Sequence, residues 1–312
     1  VSDRPPLCQA LSWPEGPCKV RVIEVPSEIH KRLRHSDRLP LFQMIAKNVG
    51  IRRAEGRFVL ATNTDLLFSE RLVRFLASRS LEPKFMYRID RYDVPSEVPT
   101  GVSVEEMLSY CRHNIIRLNR RDGTFPGDAL RWIWFIKARR RLTLLHRYIL
   151  LSIRWLQVEP KLVANIAILL MRGARFLKRH MFPRYPRLHT NACGDFTLMA
   201  REYWQALRGY PELEMHSFNL DSVFCHMAYQ HGLREKVLRD PMRIYHIEHS
   251  SGWTPEGDSK MRERLRIMEI PMLDFPQFES WATKMQKEKR PMIFNSEGWG
   301  LASENLPETR ID

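Results

Sequence analysis

Residues 58–62, FVLAT, form an unbroken apolar run that stops on Asn63-Thr64-Asp65 and turns apolar again at Leu66. A run of that length fits a strand packed on both faces better than a helix. Upstream, LPLFQMIAKNVGIRRAEG predicts a helix over about 41–54, with Gly56 beyond its end. Downstream, Ser69 is placed as an N-cap, with Glu70 in the first turn and Leu72, Val73, Phe75 and Leu76 on an apolar face. KVRVIEV at 19–25 alternates like a strand. Strand, helix, strand, helix predicts an α/β layered fold with a mixed, mainly parallel sheet flanked by helices.

The carboxylate at the end of FVLAT needs a reason. In an open α/β sheet, ligands bind outside the carboxyl ends of the strands. Asp65 there could hold a divalent cation through oxygen ligands. A plain turn is the competing explanation, because Asn and Asp side chains bond nearby backbone.

The rest of the chain continues the mixed pattern. A strand lies within 83–95, and Ser103 with Glu106 forms a capping box before a helix to about 113. YRIDRYD puts Arg88, Asp90 and Tyr92 on one face, as in a solvated edge strand. NRRDGTFPGD at 119–128 reads as loop. TLMAREYWQALRGY predicts a helix ending near Gly209, and a second helix runs from Asp221 to Gly232. MRIYHIEH at 242–249 predicts a strand. While that strand stays regular, His246 and His249 face opposite sides, so one of them at most faces a site. Beyond about 252 the chain is polar.

Net charge is +14, and it is concentrated. Residues 131–180 hold twelve Lys or Arg and one acid, Glu159. This predicts a near-neutral domain carrying one basic helical segment. Its longest uncharged apolar run, LVANIAILLM, is too short to span a bilayer. Trp, Phe, Leu and Ile interleaved with Arg and Lys fit helices lying on anionic lipid, and a solvated basic face fits as well. Five cysteines at irregular spacing, with no CxxC, predict neither a disulfide framework nor a zinc knuckle. A reducing, cytoplasmic location is expected, with attachment to the inner face of a membrane through 131–180.

AKNVGIRRAEGRFVLATNTDLLFS resembles a stretch of nucleotide-sugar glycosyltransferases of the GT-A fold, notably the inverting family 2. Asn48, Gly50, Ala54 and Gly56 fall in register with that family's pattern, followed by the strand and Asn63-Thr64-Asp65 in place of D-x-D. GDFTLMAREYWQALRGYPE and NLDSVFCHMAYQHG resemble the acceptor half of the same fold. IYHIEHSSGW is similar to the strand carrying a histidine metal ligand in β-1,4-galactosyltransferase-like enzymes, with His249 a better match than His246. Together these pieces cover roughly residues 1–257.

The resemblance implies a GT-A, Rossmann-like domain. Residues 1–118 would form the nucleotide-sugar half, 119–187 a basic helical insertion, 188–257 the acceptor half and 258–312 a C-terminal tail. VSDRPP would be the end of the family's second strand, with Asp3 its carboxylate and the first strand and helix missing. Donor-binding residues would be Asp3, Asn48, Arg52, Asn63 and Asp65. Asp195, Tyr210 and Glu212 would bind acceptor. Asp65 and His249 would hold Mn2+ or Mg2+, and Asp221 would be the general base for inverting transfer to a glycan or lipid-linked hydroxyl. Asn63 stands where the family has its first Asp, and Asn is a weaker metal ligand than a carboxylate. Local roles compete for each residue: Asp221 as an N-cap, Asn48 as a helix bond, Glu212 as a surface turn, His249 as a strand histidine.

Other classes stay open. A nucleic-acid binder would use the basic segment, but the remaining chain is near neutral and shows no recognised motif. A nucleotidyltransferase would carry a Gly-rich phosphate loop near its start. An inactive transferase relative fits Asn63. The interfacial reading predicts that the chain sediments with anionic vesicles at low salt and is released at high salt. No binding at low salt would discard it.

Overall fold

The computed structural model describes residues 7–13, 16, 18–127, 185–249 and 257–311. Asp3 and the basic segment at 131–180 lie outside the described residues.

The strands are β1 (Val20–Ile23), β2 (Phe58–Thr62), β3 (Leu66–Phe68), β4 (Phe85–Ile89), β5 (Arg91–Val94), β6 (Arg117–Arg120), β7 (Gly123–Pro126), β8 (Phe196–Ala200), β9 (Arg234–Leu238), β10 (Ile244–Ile247) and β11 (Glu308–Ile311). The helices are α1 (Leu7–Ala10), α2 (Ser27–Lys31), α3 (Gln43–Arg53), α4 (Glu70–Ala77), α5 (Val104–His113), α6 (Arg201–Ala206), α7 (Leu220–Gln230), α8 (Asp258–Ile267) and α9 (Phe275–Glu288). One sheet has the order β2-β8-β4-β9, a second β3-β10-β5-β6-β7, and β1 pairs with β11.

The architecture is mixed α/β, but the sheets are not mainly parallel. Among the described strands only β4–β9 and β5–β10 run parallel. The other pairings are antiparallel. Strands β3, β9 and β11 were not expected, and β8 was expected as the start of a helix. Its residues FTLMA suit either state, and pairing along the whole of β2 decides for strand.

FVLAT is apolar throughout because β2 has a core on each side. Val59 and Ala61 join Met199, Trp204, Phe224 and Met285. Phe58 and Leu60 pack with Leu72, Tyr87, Phe196 and Leu198. On the first side Trp204 stacks on Phe224 at 4.5 Å between ring centroids, and Tyr210 meets Trp204 edge-on at 5.2 Å.

Several local signals act as expected. The Ser69 side chain accepts from Leu72 N at the start of α4, and Ser103 and Glu106 close a reciprocal box on α5. Gly232 follows α7 with φ 104°, a conformation that favours glycine. Others do not. The stretch 83–95 is two strands in two sheets, interrupted at Asp90, and Arg88, Asp90 and Tyr92 are buried rather than solvated. Arg88 tolerates full burial because its guanidinium donates to His189 O, Cys193 O and Thr197 Oγ1. The expected loop at 119–128 is largely the β6–β7 hairpin, so a boundary after residue 118 falls inside a strand. The expected tail carries α8, α9 and β11. Phe278, Met285 and Trp299 enter the main core, and β11 pairs with β1. Among the described residues no helix is long and apolar enough to cross a membrane.

That C-terminal part closes a knot around Asn48. Asn48 is wholly buried on α3. Its Oδ1 accepts from Tyr210 N at 2.9 Å, and its Nδ2 donates to Tyr210 O at 2.8 Å and Glu212 Oε1 at 2.9 Å. Gly300 N donates to the same Glu212 oxygen at 2.7 Å. Arg52 donates to Trp299 O at 3.1 Å, with its guanidinium over the Trp299 ring. A Cβ at Gly209 would come within 2.3 Å of Asn48 Oδ1, and φ there is 68°, so both space and backbone call for glycine. Asn48→Ala strands buried partners on Tyr210 and Glu212. It should destabilise the fold by about 2–3 kcal/mol in chemical denaturation. A change below about 0.5 kcal/mol, the level of an ordinary surface substitution, would refute this account.

Candidate functional site

β2 and β3 are separated by Asn63-Thr64-Asp65, and β3 lies antiparallel to β10, with His246 opposite Leu66. Ile247 N donates to Asp65 O at 3.0 Å, one step beyond that register. On its other side β10 runs parallel to β5, with His246 opposite Asp93. β5 in turn sets Asp93 opposite Arg117 on β6. Three strands thus bring Asp65, His246 and Asp93 into one row.

A cavity of about 660 Å³ opens there. Its wall includes Asn63, Asp65, Asp195, Asp221, His246 and His249. His249 Nε2 lies 3.0 Å from Asp65 Oδ2, and His246 Nε2 lies 3.5 Å from the same oxygen. The expectation that only one histidine could face the site is corrected. β10 ends at Ile247, so strand alternation no longer governs His249, and both rings reach Asp65.

Asp65, His246 and His249 have their ligand atoms within 4.8 Å of one another. Asp65 Oδ1 is buried and makes no hydrogen bond among the described residues. A carboxylate with an uncommitted buried oxygen beside two imidazoles suits a divalent transition cation. Asp93, His246 and Glu248 also cluster. In that second group Arg91 and Arg117 already contact Asp93, and Arg117 pairs closely with Glu248. Guanidinium groups hold the positive charge there, which leaves the Asp65 group as the candidate metal centre.

Asn63 is not free to join it. Its Oδ1 accepts from Gln43 Nε2 at 3.0 Å and its Nδ2 donates to Asp195 Oδ1 at 2.5 Å. Arg91 holds the other oxygen of Asp195 at 2.5 Å. Asp221 is the second residue of α7, after Asn219 at the N-cap, so the N-cap assignment does not hold. Its Oδ2 accepts from Gly194 N at 2.6 Å and its Oδ1 from Ser222 N at 2.8 Å. Lys47 on α3 donates to Gly194 O at 2.5 Å and so grips the same loop. Loss of surrounding water lowers the Lys47 pKa, against the pull of Asp195 and Asp221.

The remaining expected residues sit elsewhere. Asn48, Arg52, Tyr210 and Glu212 belong to the knot under α3, and none lines this cavity. The placement gives them a structural role, and ligand-binding roles do not follow from it. Asp3 lies outside the described residues. Lys47, Arg91 and Asp93 were not singled out by sequence pattern, and His246 was weighed only as the poorer alternative to His249. The available signal for Asp93 was a carboxylate inside a strand whose neighbours are apolar.

The row of charges sets a pH profile. Burial pushes the Asp65 carboxyl up, but hydrogen bonding to His246 outweighs it and holds the pKa at about 2. Asp93 is likewise held at about 2, burial being outweighed by His246 and Arg91. Burial pulls His246 down, but Asp65 and Asp93 win and raise it to about 9. The depressed carboxylates stabilise the fold above their unfolded values of about 3.9, and that stability is lost as pH falls through about 2. The raised histidine stabilises it below about 6.5, and that contribution fades as pH rises through about 9. Metal-free protein should therefore melt highest between about pH 4 and 6.5, with an alkaline decline that His246→Gln removes. An unchanged decline in the variant would contradict this assignment.

The chain matches no known protein-family model and no curated protein sequence.

Proposed function

We propose that the chain is a metal-assisted glycosyltransferase that moves a sugar from a nucleoside-diphosphate sugar to a hydroxyl acceptor with inversion. One observation carries this reading. Asp65, His246 and His249 converge at the end of β2 in the same cavity that Asp221 lines. The resemblance of the surrounding sequence to GT-A transferases supports it independently.

The residues fit the roles the reaction demands. A bound divalent cation supplies Lewis-acid stabilisation of the charge that develops on a leaving diphosphate. Of Mn2+ and Mg2+, two imidazoles favour Mn2+, because Mg2+ prefers oxygen ligands. Asp65 would supply the anionic ligand, and His246 and His249, in their neutral forms, the other two. Asp221 takes the proton of the acceptor hydroxyl as its oxygen attacks the anomeric carbon and the bond from that carbon to the diphosphate oxygen breaks. Gly194 N bonds Asp221 Oδ2, and Ser222 N and the Ser222 hydroxyl bond Oδ1; together they fix the carboxylate plane, and Oδ2, with one donor, keeps room for another. Asn63 and Arg91 hold Asp195 on the same wall, where it would meet acceptor hydroxyls. The acceptor is a glycan or a lipid-linked sugar, and the basic segment would bring the enzyme to an anionic membrane.

Thermal unfolding with UDP-, GDP- and dTDP-sugars, with and without Mn2+, tests the reading. A melting shift that needs both metal and one nucleotide, and disappears in Asp65→Ala, is expected. Asp221→Asn should keep that shift while turnover falls by about 10²- to 10⁴-fold. No shift with any donor, in the presence of Mn2+, would overturn the proposal.

A further inference from the structure

We propose that Asp93 is a positioning residue for the candidate metal centre, holding the proton of His246 on Nδ1 so that the lone pair on Nε2 faces Asp65. The inference rests on the metal reading above and extends it to a residue outside the ligand group.

The register makes the contact. Asp93 lies opposite His246 in the parallel β5–β10 pair, and its Oδ1 is 3.5 Å from His246 Nδ1. Asp93 is only 1% exposed. His246 Nδ1 is buried and makes no hydrogen bond among the described residues, and the carboxylate oxygen facing it is the acceptor within reach. On the opposite edge of the ring, Nε2 faces Asp65 Oδ2. The imidazole therefore stands between two carboxylates, and each can accept a hydrogen bond from it.

The two outcomes have opposite consequences. A proton on Nε2 points at Asp65 and fills the place a cation would take. A proton on Nδ1 leaves Nε2 as a donor atom for the cation. A neutral imidazole carries one proton, so the carboxylate that binds it more firmly selects the tautomer. Asp93 is held in place for this. Asn119 donates to its Oδ2 at 3.0 Å, Arg117 Nε to the same oxygen at 3.0 Å, and Arg91 contacts both oxygens. Those cations keep Asp93 ionised and fixed, and they prevent a second metal ion from taking its carboxylate.

The test uses the full chain and Mn2+ or Co2+ alone as probe. Manganese affinity by electron paramagnetic resonance and the cobalt absorption spectrum are compared in wild type and Asp93→Asn. Asn48→Ala serves as a variant destabilised away from the cavity. The expected result is a loss of about 10- to 100-fold in metal affinity and an altered cobalt spectrum in Asp93→Asn. Folded Asn48→Ala should bind like wild type. Equal affinity and an identical spectrum in folded Asp93→Asn would overturn the role of Asp93 while leaving the metal centre standing. Failure of the wild type to bind either ion would overturn the metal reading itself. If Asp93→Asn does not fold, nitrogen-15 shifts of the wild-type histidines with a diamagnetic divalent ion decide instead. Protonated Nδ1 with ligated Nε2 at His246 is expected, and protonated Nε2 would overturn the proposal.

Discussion

The placement of β10 between β3 and β5 is the constraint on which the candidate site depends. A strand pairing shifted by one residue turns every side chain to the opposite face. Here the antiparallel partner fixes His246 near Asp65, and the parallel partner fixes it beside Asp93. Ile244 and Tyr245, both buried, hold that register from two separate cores. The chemistry-bearing residues of β10 are thus aimed by the packing of the residues before them.

The charges around this row are numerous and buried, and each has a partner. Asp93, Asp195, Arg91 and Arg117 form a connected set, with Glu248 at its rim. Such sets are weak sources of net stability, because desolvation consumes most of the attraction. Their value lies in direction. Removing one member leaves a buried charge without its partner, at a cost of about 3–5 kcal/mol, so the arrangement resists change. Arg91 links two parts of the cavity wall, binding Asp195 on one side and Asp93 behind the histidine.

The knot at Asn48 has the same logic with neutral groups. It ties α3, the turn after α6 and the segment before β11, three parts far apart in sequence. Glycines at 209 and 300 admit close backbone approach to Asn48. Asn48, Arg52, Tyr210 and Glu212, offered by the sequence as ligand contacts, hold these segments together. The same α3 carries Lys47 to the Gly194 loop, so the knot and the cavity wall share one rigid element.

Much of the local structure was legible in the sequence, because it rests on short-range physics. The period of LPLFQMIAKNVG marks α3, Ser69 and Ser103 mark helix starts, and the unbroken FVLAT marks a strand with a core on each side. Asp65 at the end of that strand and Asp221 at a helix start could be named from their local settings, and His249, expected inside the strand, from the resemblance of IYHIEHSSGW. Strand direction, the break at Asp90 and the return of the C-terminal segment into the core could not, because they are set by partners distant in the chain. FTLMA became a strand only because β2 offered an edge. His246 joined His249 only because β10 stops at Ile247. Asp93 took its place behind the ring only through the pairing of β5 with β10. Propensity and caps act over a few residues, whereas the site is built from registers between strands up to 180 residues apart.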